Sequence, residues 1–80
     1  MNLQKAVATR LNNLLREKNM TQYALCQKIG MNQTTTYNIM YGRCKSVTLK
    51  TICYLADGLG ISLQEFINDP LFDKDNLEID

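Results

Sequence analysis

The sequence predicts an all-α domain of five helices. Three observations support this: apolar residues recur at helical spacing, Ser, Thr or Asn precedes most of the predicted helices, and Gly follows three of them. The chain has 80 residues, of which 45% are hydrophobic. This length suits one domain with one core, and we expect no separate effector or catalytic domain.

The first helix is predicted over Gln4–Lys18 and ends at Asn19. Its apolar residues share one face: Leu3, Val7, Leu11, Leu14 and Leu15. Thr21 is a good N-cap for the second helix, which closes at Gly30. Two residues of this second helix are small, as a close crossing of helices requires: Ala24 and Cys26.

The third and fourth helices have clear start and stop signals. Asn32 is expected to cap a helix over Gln33–Tyr41, which Gly42 terminates. Thr48 is expected to cap the fourth helix, and Gly60 provides its left-handed stop. The predicted buried stripe of the fourth helix is Leu49, Ile52, Cys53, Ala56 and Leu59.

The fifth helix is short. Ser62 and Glu65 form a capping-box pattern, and Pro70 prevents the helix from continuing. Its inward residues are expected to be Leu63, Phe66 and Ile67. Beyond it, residues 71–72 and 77–79 are the only candidates for weak strand pairing.

Charge is distributed unevenly along the chain. Residues 1–68 carry eight Lys or Arg and three Asp or Glu, which gives +5, whereas residues 69–80 carry one Lys and five acids, which gives −4. We therefore divide the chain into a basic domain over 1–68 and an acidic C-terminal tail over 69–80. A basic body suits a polyanionic partner, although a solubilising tail on an ordinary domain gives the same charge pattern.

The residue inventory predicts no enzyme, no metal site and no cofactor. The chain has no His, and its three Cys are scattered without any CxxC pair. Histidine acid–base catalysis and a four-ligand soft-metal cluster are thereby excluded. The Cys pattern favours a reducing cytosol, and no apolar run approaches the roughly 18 residues of a membrane span. We expect a cytoplasmic binding domain.

The outward face of the third helix is polar but uncharged, where a solvated helix normally carries Lys and Glu. Its residues are Gln33, Thr34, Thr35, Tyr37, Asn38 and Tyr41. Gln and Asn amides match the adenine edge in the major groove, and Thr methyl groups can contact the thymine methyl group. This face is therefore a candidate reader of DNA bases.

The segment TQYALCQKIGMNQTT at residues 21–35 resembles the helix-turn-helix of Cro and phage repressors, the XRE-like bacterial regulators. The resemblance continues through residues 48–52, 55–63 and 65–66 and spans about residues 5–68. It implies a compact, five-helix, lambda-repressor-like domain with the helix-turn-helix at helices 2 and 3. It further implies a sequence-specific transcriptional regulator, by family habit a repressor, whose third helix enters the major groove.

The resemblance also implies roles for individual residues. The base-reading positions are Gln33, Thr34, Tyr37 and Asn38. The DNA-backbone positions are Gln22, Asn32, Thr35, Arg43, Lys45 and Thr48. The implied partner is double-stranded DNA with a pseudo-palindromic operator, bound by two copies as a homodimer in the cytoplasm, in association with the nucleoid.

Four residues depart from the family pattern. Cys26 replaces the usual Ala, and Thr36 replaces an apolar anchor of the third helix, which predicts a less firmly seated helix. Leu15 and Met40 stand where many members have an Arg–Glu pair. We infer that an apolar contact has replaced this salt bridge.

The same residues are also compatible with functions other than DNA binding. Tyr37 and Tyr41 could pack on neighbouring helices, and Arg43 and Lys45 could be ordinary surface charge. The acidic tail could be disordered, could pack on the fifth helix or across a dimer interface, or could compete with DNA. The whole domain could instead be a protein–protein adaptor on a helix-turn-helix scaffold, because fold does not determine function.

Overall fold

The computed structural model describes residues 1–78 and confirms the all-α, five-helix prediction. The helices are α1 (Leu3–Glu17), α2 (Gln22–Ile29), α3 (Gln33–Met40), α4 (Leu49–Leu59) and α5 (Leu63–Ile67). A short 3-10 helix follows over Pro70–Phe72. The observed bounds of α1 differ from the predicted ones by one residue at each end, and those of α3 by one residue at its C-terminal end.

The predicted caps are confirmed by side-chain to backbone hydrogen bonds. Thr21 Oγ1 accepts from the Ala24 N–H at 3.0 Å, and Ser62 Oγ accepts from the Glu65 N–H at 3.1 Å. These bonds satisfy N–H groups that have no partner within the helix. At the end of α1 a non-glycine residue, Asn19, takes the left-handed conformation with φ of 52°. Asn tolerates this region better than most residues, so the helix stops there without Gly.

The core is a single apolar cluster to which all five helices contribute. Its buried members are Val7, Leu11, Leu14, Leu15, Leu25, Ile39, Ile52, Leu55, Ala56, Leu59 and Phe66. The predicted stripe of α4 was wrong at two positions, because Leu49 is 62% exposed and Cys53 is also exposed. Leu55 is buried in their place, so the inward face of α4 is rotated towards Leu55.

The close approach of α2 and α4 depends on Gly58. A methyl group at this position would overlap Ile29 Cγ2 and lie 2.7 Å from Leu25 Cδ1. Of the two small residues of α2 that were expected to allow a close helix crossing, Cys26 is buried, whereas Ala24 is exposed. The small residue that the crossing requires lies on α4.

Arg10 connects α1 to the end of α5. Its Nε and Nη2 donate to the carbonyl oxygens of Phe66 and Glu65 at 2.8 and 2.9 Å. Its Nη1 forms an ion pair with Asp69 Oδ2 at 3.2 Å. Arg10 therefore satisfies carbonyl groups at the C-terminus of α5 and contributes to folding rather than to the exposed positive charge.

The acidic segment after α5 folds back on the body as far as residue 78. The Phe72 ring lies 6.4 Å from that of Phe66, and the Glu78 N–H donates to the Met1 carbonyl at 2.9 Å. Of the three interpretations of this segment, packing on the body describes this geometry. The suggested pairing of 71–72 with 77–79 was wrong for the described residues, since Glu78 forms an isolated bridge with Asn2. Ile79 and Asp80 lie outside them.

Within residues 1–78, no helix combines the length and apolar character that a membrane span needs.

Candidate nucleic-acid interface

Two residues hold the inner face of α3 against the core. Ile39 is buried, and Thr36 is 0% exposed. The Thr36 hydroxyl donates to the Asn32 carbonyl at 3.1 Å, so its burial leaves no unsatisfied group. Thr36 is thus fully buried with its hydroxyl hydrogen-bonded, and its looser seating of this helix relative to an apolar anchor stays a prediction.

Asn32 caps α3 with the oxygen of its side-chain amide. Its Oδ1 accepts from the N–H groups of Thr34 at 2.7 Å and Thr35 at 3.3 Å. An Asn amide also carries two N–H donors, and the residue is exposed. The cap does not use Nδ2, which can therefore donate to a ligand that approaches the N-terminus of α3.

The four predicted base-reading residues fall on the outer side of the same helix. Gln33 and Thr34 are exposed in the first turn, Tyr37 is 41% exposed, and Asn38 is half-buried. Residues three and four apart are neighbours on a helix surface. The structure therefore brings Gln33, Thr34, Tyr37 and Asn38 together on one continuous polar surface.

Tyr37 and Tyr41 stack on each other, and both side chains are exposed. Their ring centroids are 6.0 Å apart with an interplanar angle of 5°, and Tyr41 is 64% exposed. The guanidinium carbon of Arg43 lies over the Tyr41 ring, 5.3 Å from its centroid. We call these three residues the Tyr–Tyr–Arg stack.

The loop after α3 begins with a defined helix stop. Gly42 has φ of 70°, its N–H donates to the Ile39 carbonyl at 3.1 Å, and the Arg43 N–H donates to the Asn38 carbonyl at 2.8 Å. This pair of bonds is the Schellman motif. Lys45 follows as an exposed residue of the same loop.

Asn12 is a positioning residue that sequence reasoning missed. Its Nδ2 donates to the Met40 carbonyl at 3.1 Å and to the Ala8 carbonyl at 2.8 Å. It therefore fixes the C-terminal end of α3 to α1. An apolar-pattern analysis passes over this residue, because a single Asn on a helix carries no signal about a partner 28 residues away.

The N-termini of α2 and α4 carry the remaining predicted backbone-contact residues. Gln22 Nε2 is buried and has no hydrogen-bond acceptor within the described part of the chain. Thr48 is exposed, and its Oγ1 accepts from the Thr51 N–H at 3.2 Å. The N–H groups of Leu49 and Lys50, in the first turn of α4, have no acceptor within the helix.

The surrounding charge is of one sign. Between residues 18 and 56 the chain carries five cationic side chains and no Asp or Glu. These cations are Lys18, Lys28, Arg43, Lys45 and Lys50. Among residues 1–78 the two ion pairs are Met1–Glu78 and Arg10–Asp69, and both lie outside this stretch. The helix-turn-helix and its following loop therefore present positive charge that no carboxylate of the same stretch neutralises.

No group of three or more His, Cys, Asp or Glu side chains within residues 1–78 is placed to hold a metal ion.

Comparison with known proteins agrees with this fold. A family model described as the Cro/C1-type HTH DNA-binding domain matches residues 10–70. The crystal structure of the prophage Lp1 protein 11 is similar, with a TM-score of 0.81 and 29% sequence identity. The similarity covers 92% of this chain and 99% of that protein. No curated protein is significantly similar in sequence.

Proposed function

The chain belongs to the Cro/C1-type helix-turn-helix DNA-binding domain family, and from this premise we propose that it binds duplex DNA sequence-specifically and represses transcription. In this proposal α3 is the recognition helix and lies in the major groove. The observation that carries the proposal is the outer face of α3, which is polar and uncharged and is followed by a cationic loop. We propose no catalytic activity and no cofactor for this chain.

Base readout is assigned to the outer face of α3. The side-chain amides of Gln33 and Asn38 can each donate to N7 and accept from N6 of adenine. The Thr34 methyl group can contact the thymine methyl group, and the Tyr37 ring offers an apolar contact with a hydroxyl at its tip. The exposure of Gln33, Thr34 and Tyr37 supports this assignment, because a base edge can approach them without refolding.

Phosphate contacts are assigned first to the N-termini of α2 and α3. Gln22 Nε2 is buried without a protein acceptor, and rotation of its side chain towards a phosphate oxygen would provide one. Asn32 uses Oδ1 in its cap and retains Nδ2 for a phosphate. The Thr35 N–H already donates to that cap, so the Thr35 hydroxyl is the group that we assign to phosphate. These contacts place the helix in the groove but carry no sequence information.

A second set of phosphate contacts is assigned to the loop between α3 and α4. Arg43 and Lys45 supply positive charge, and Thr48 brings the positive end of the α4 dipole to the same strand. The absence of acids between residues 18 and 56 supports this assignment. We expect a steep dependence of affinity on salt, since each neutralised phosphate releases counterions.

We further propose that two copies bind a pseudo-palindromic operator as a homodimer. One copy presents few base contacts, so specificity requires a second recognition helix about one helical turn away on the DNA. A regulator of this type acts on the chromosome, which implies a cytoplasmic, nucleoid-associated location.

Selection of bound duplexes from a random pool tests the proposal. The selection is run with the full chain at about 0.1 M salt, and the retained duplexes are sequenced. We expect an enriched palindromic site whose half-site spacing reports the dimer geometry. The matched control is a variant with Gln33→Ala and Asn38→Ala, which keeps every cation and is expected to retain duplexes without enriching that site.

One observation favours a second candidate function. The exposed pair of tyrosines on α3, Tyr37 and Tyr41, also suits a protein partner. A protein–protein adaptor on this scaffold predicts salt-sensitive, sequence-blind retention in the same selection. That outcome would remove the base-reading role from Gln33, Thr34, Tyr37 and Asn38.

A further inference from the structure

The three residues of the Tyr–Tyr–Arg stack have a defined backbone conformation. The Schellman motif at Gly42 fixes the backbone of Arg43 relative to Asn38, through the 2.8 Å bond from the Arg43 N–H. Tyr37 belongs to α3, and Tyr41 is the C-cap of that helix four residues later. All three members of the stack therefore start from defined backbone positions.

The side chains of the stack are also restricted in their rotation. The parallel rings of Tyr37 and Tyr41 restrict each other's rotation, and the Tyr41 ring carries the Arg43 guanidinium at 5.3 Å. A cation within about 6 Å of an aromatic centroid is attracted to the ring face. A free Arg side chain has many rotamers, and their loss opposes binding. The stack removes part of this entropy loss before any ligand arrives.

The stack also keeps the guanidinium available. An ion pair with a carboxylate would occupy its N–H donors, whereas contact with a ring face does not. Neither ion pair found among the described residues involves Arg43. Arg43 is thus held in place while its donors face solvent, an arrangement that suits bidentate binding of a phosphate.

We propose that Tyr41 is a positioning residue of the DNA interface, which acts by holding Arg43 ready for a backbone phosphate next to the recognition helix. The inference rests on the proposed DNA-binding function and adds a residue to it. Tyr41 acts through its ring in this role, and Tyr37 supports that ring by stacking on it. The Tyr41 hydroxyl is not required.

The test is a double-mutant cycle measured by fluorescence anisotropy. The probe is a duplex of about 30 base pairs and mixed sequence, because a phosphate contact does not depend on the operator. Tyr41→Leu is expected to weaken binding about three- to tenfold. Tyr41→Phe should bind like the parent chain. In an Arg43→Ala background, Tyr41→Leu should change affinity by less than about twofold.

A second readout requires no DNA. The ring current of Tyr41 should shift the side-chain protons of Arg43 in the NMR spectrum of the free protein. This shift should persist in Tyr41→Phe and disappear in Tyr41→Leu. The matched control for loss of a surface tyrosine is Tyr54→Leu on α4, where Lys50 Nζ lies 5.9 Å from the ring centroid. We expect this control to retain its affinity and the Arg43 shift.

Several outcomes would overturn the inference. An additive cycle would show that the two residues act independently, and weak binding by Tyr41→Phe would assign the effect to the hydroxyl. An equal loss of affinity in Tyr54→Leu would show that the effect is not specific to Arg43. If the parent chain binds no duplex at all, the proposed function itself fails; if it binds and the cycle is additive, only the role of Tyr41 fails.

Discussion

Arg10 and Asp69 lie 59 residues apart in the chain, and their side chains meet at 3.2 Å beside the end of α5. Asp69 also caps the 3-10 helix, since its Oδ1 accepts from the Leu71 N–H at 3.0 Å. One carboxylate therefore joins α1 to the segment that follows α5. This pair makes the acidic C-terminal segment part of the folded structure at the point where it begins.

Arg10→Gln is expected to lower the free energy of unfolding by about 1–3 kcal/mol. The Arg10 side chain is 13% exposed, and its loss removes donors from the Phe66 and Glu65 carbonyl groups. Asp69→Asn should lower it by about 1 kcal/mol, because Asn keeps the cap but loses the charge. Urea unfolding of the two variants measures both losses of stability.

The control for this prediction is DNA binding. Arg10 is engaged inside the fold, so Arg10→Gln should leave the salt dependence of DNA affinity unchanged at temperatures where the variant is folded. A smaller salt slope would mean that Arg10 contacts phosphate after all. Among the basic side chains of residues 1–68, Arg10 therefore stabilises the fold. The others form no ion pair with a carboxylate of the described residues.

Local signals in the sequence account for most of the fold. Thr21, Ser62 and Gly60 act within four residues of their partners, so their roles can be predicted from the chain alone. Contacts such as Arg10 to Phe66 and Asn12 to Met40 depend on how the helices pack, which no local pattern encodes. The outer face of α3 was predictable because its uncharged residues are unusual for a solvated helix. The stacking of its tyrosines was not.

Gly58→Ala is expected to destabilise the fold by about 1–3 kcal/mol, although Ala is the better helix former. The added methyl group overlaps Ile29 Cγ2, and a β-branched side chain has little rotamer freedom to move aside. Thermal unfolding measures the loss. In an Ile29→Ala background the same change should lower stability less, because the closer of the two obstructing atoms is absent and only Leu25 Cδ1 remains. Equal losses in both backgrounds would contradict this account of the α2–α4 crossing.

Leu15→Arg is expected to lower the free energy of unfolding by about 3 kcal/mol or more, because a buried position receives an unpaired charge. Met40 is half-buried and packs against the cluster that includes Leu15. Adding Met40→Glu to Leu15→Arg should therefore recover much of the loss by restoring an ion pair. Thermal melting of the two single variants and the double variant supplies the cycle. An additive result would contradict the hypothesis that these two residues replaced a salt bridge as a pair.

Phe72→Ala is expected to lower the free energy of unfolding by about 1–3 kcal/mol, because its half-buried ring packs against the core next to Phe66. The matched charge variant, Asp73→Asn with Asp75→Asn, changes exposed carboxylates and should leave stability nearly unchanged. Chemical unfolding separates the two effects. Tighter DNA binding by the charge variant would instead support competition between the acidic segment and DNA.

Gln33→Ala and Lys45→Ala are expected to weaken DNA binding in different ways. Gln33 is assigned to a base edge, so its loss should cost about 1–3 kcal/mol on the selected operator and change little on a mixed-sequence duplex. Lys45 is assigned to phosphate, so its loss should weaken both duplexes equally and reduce the salt slope by about one. Both residues are exposed, and neither change should affect folding. Anisotropy titrations with the two duplexes at several salt concentrations distinguish the roles. If Gln33→Ala weakened both duplexes equally, the polar face of α3 would bind the DNA backbone, and base recognition would have to come from other residues.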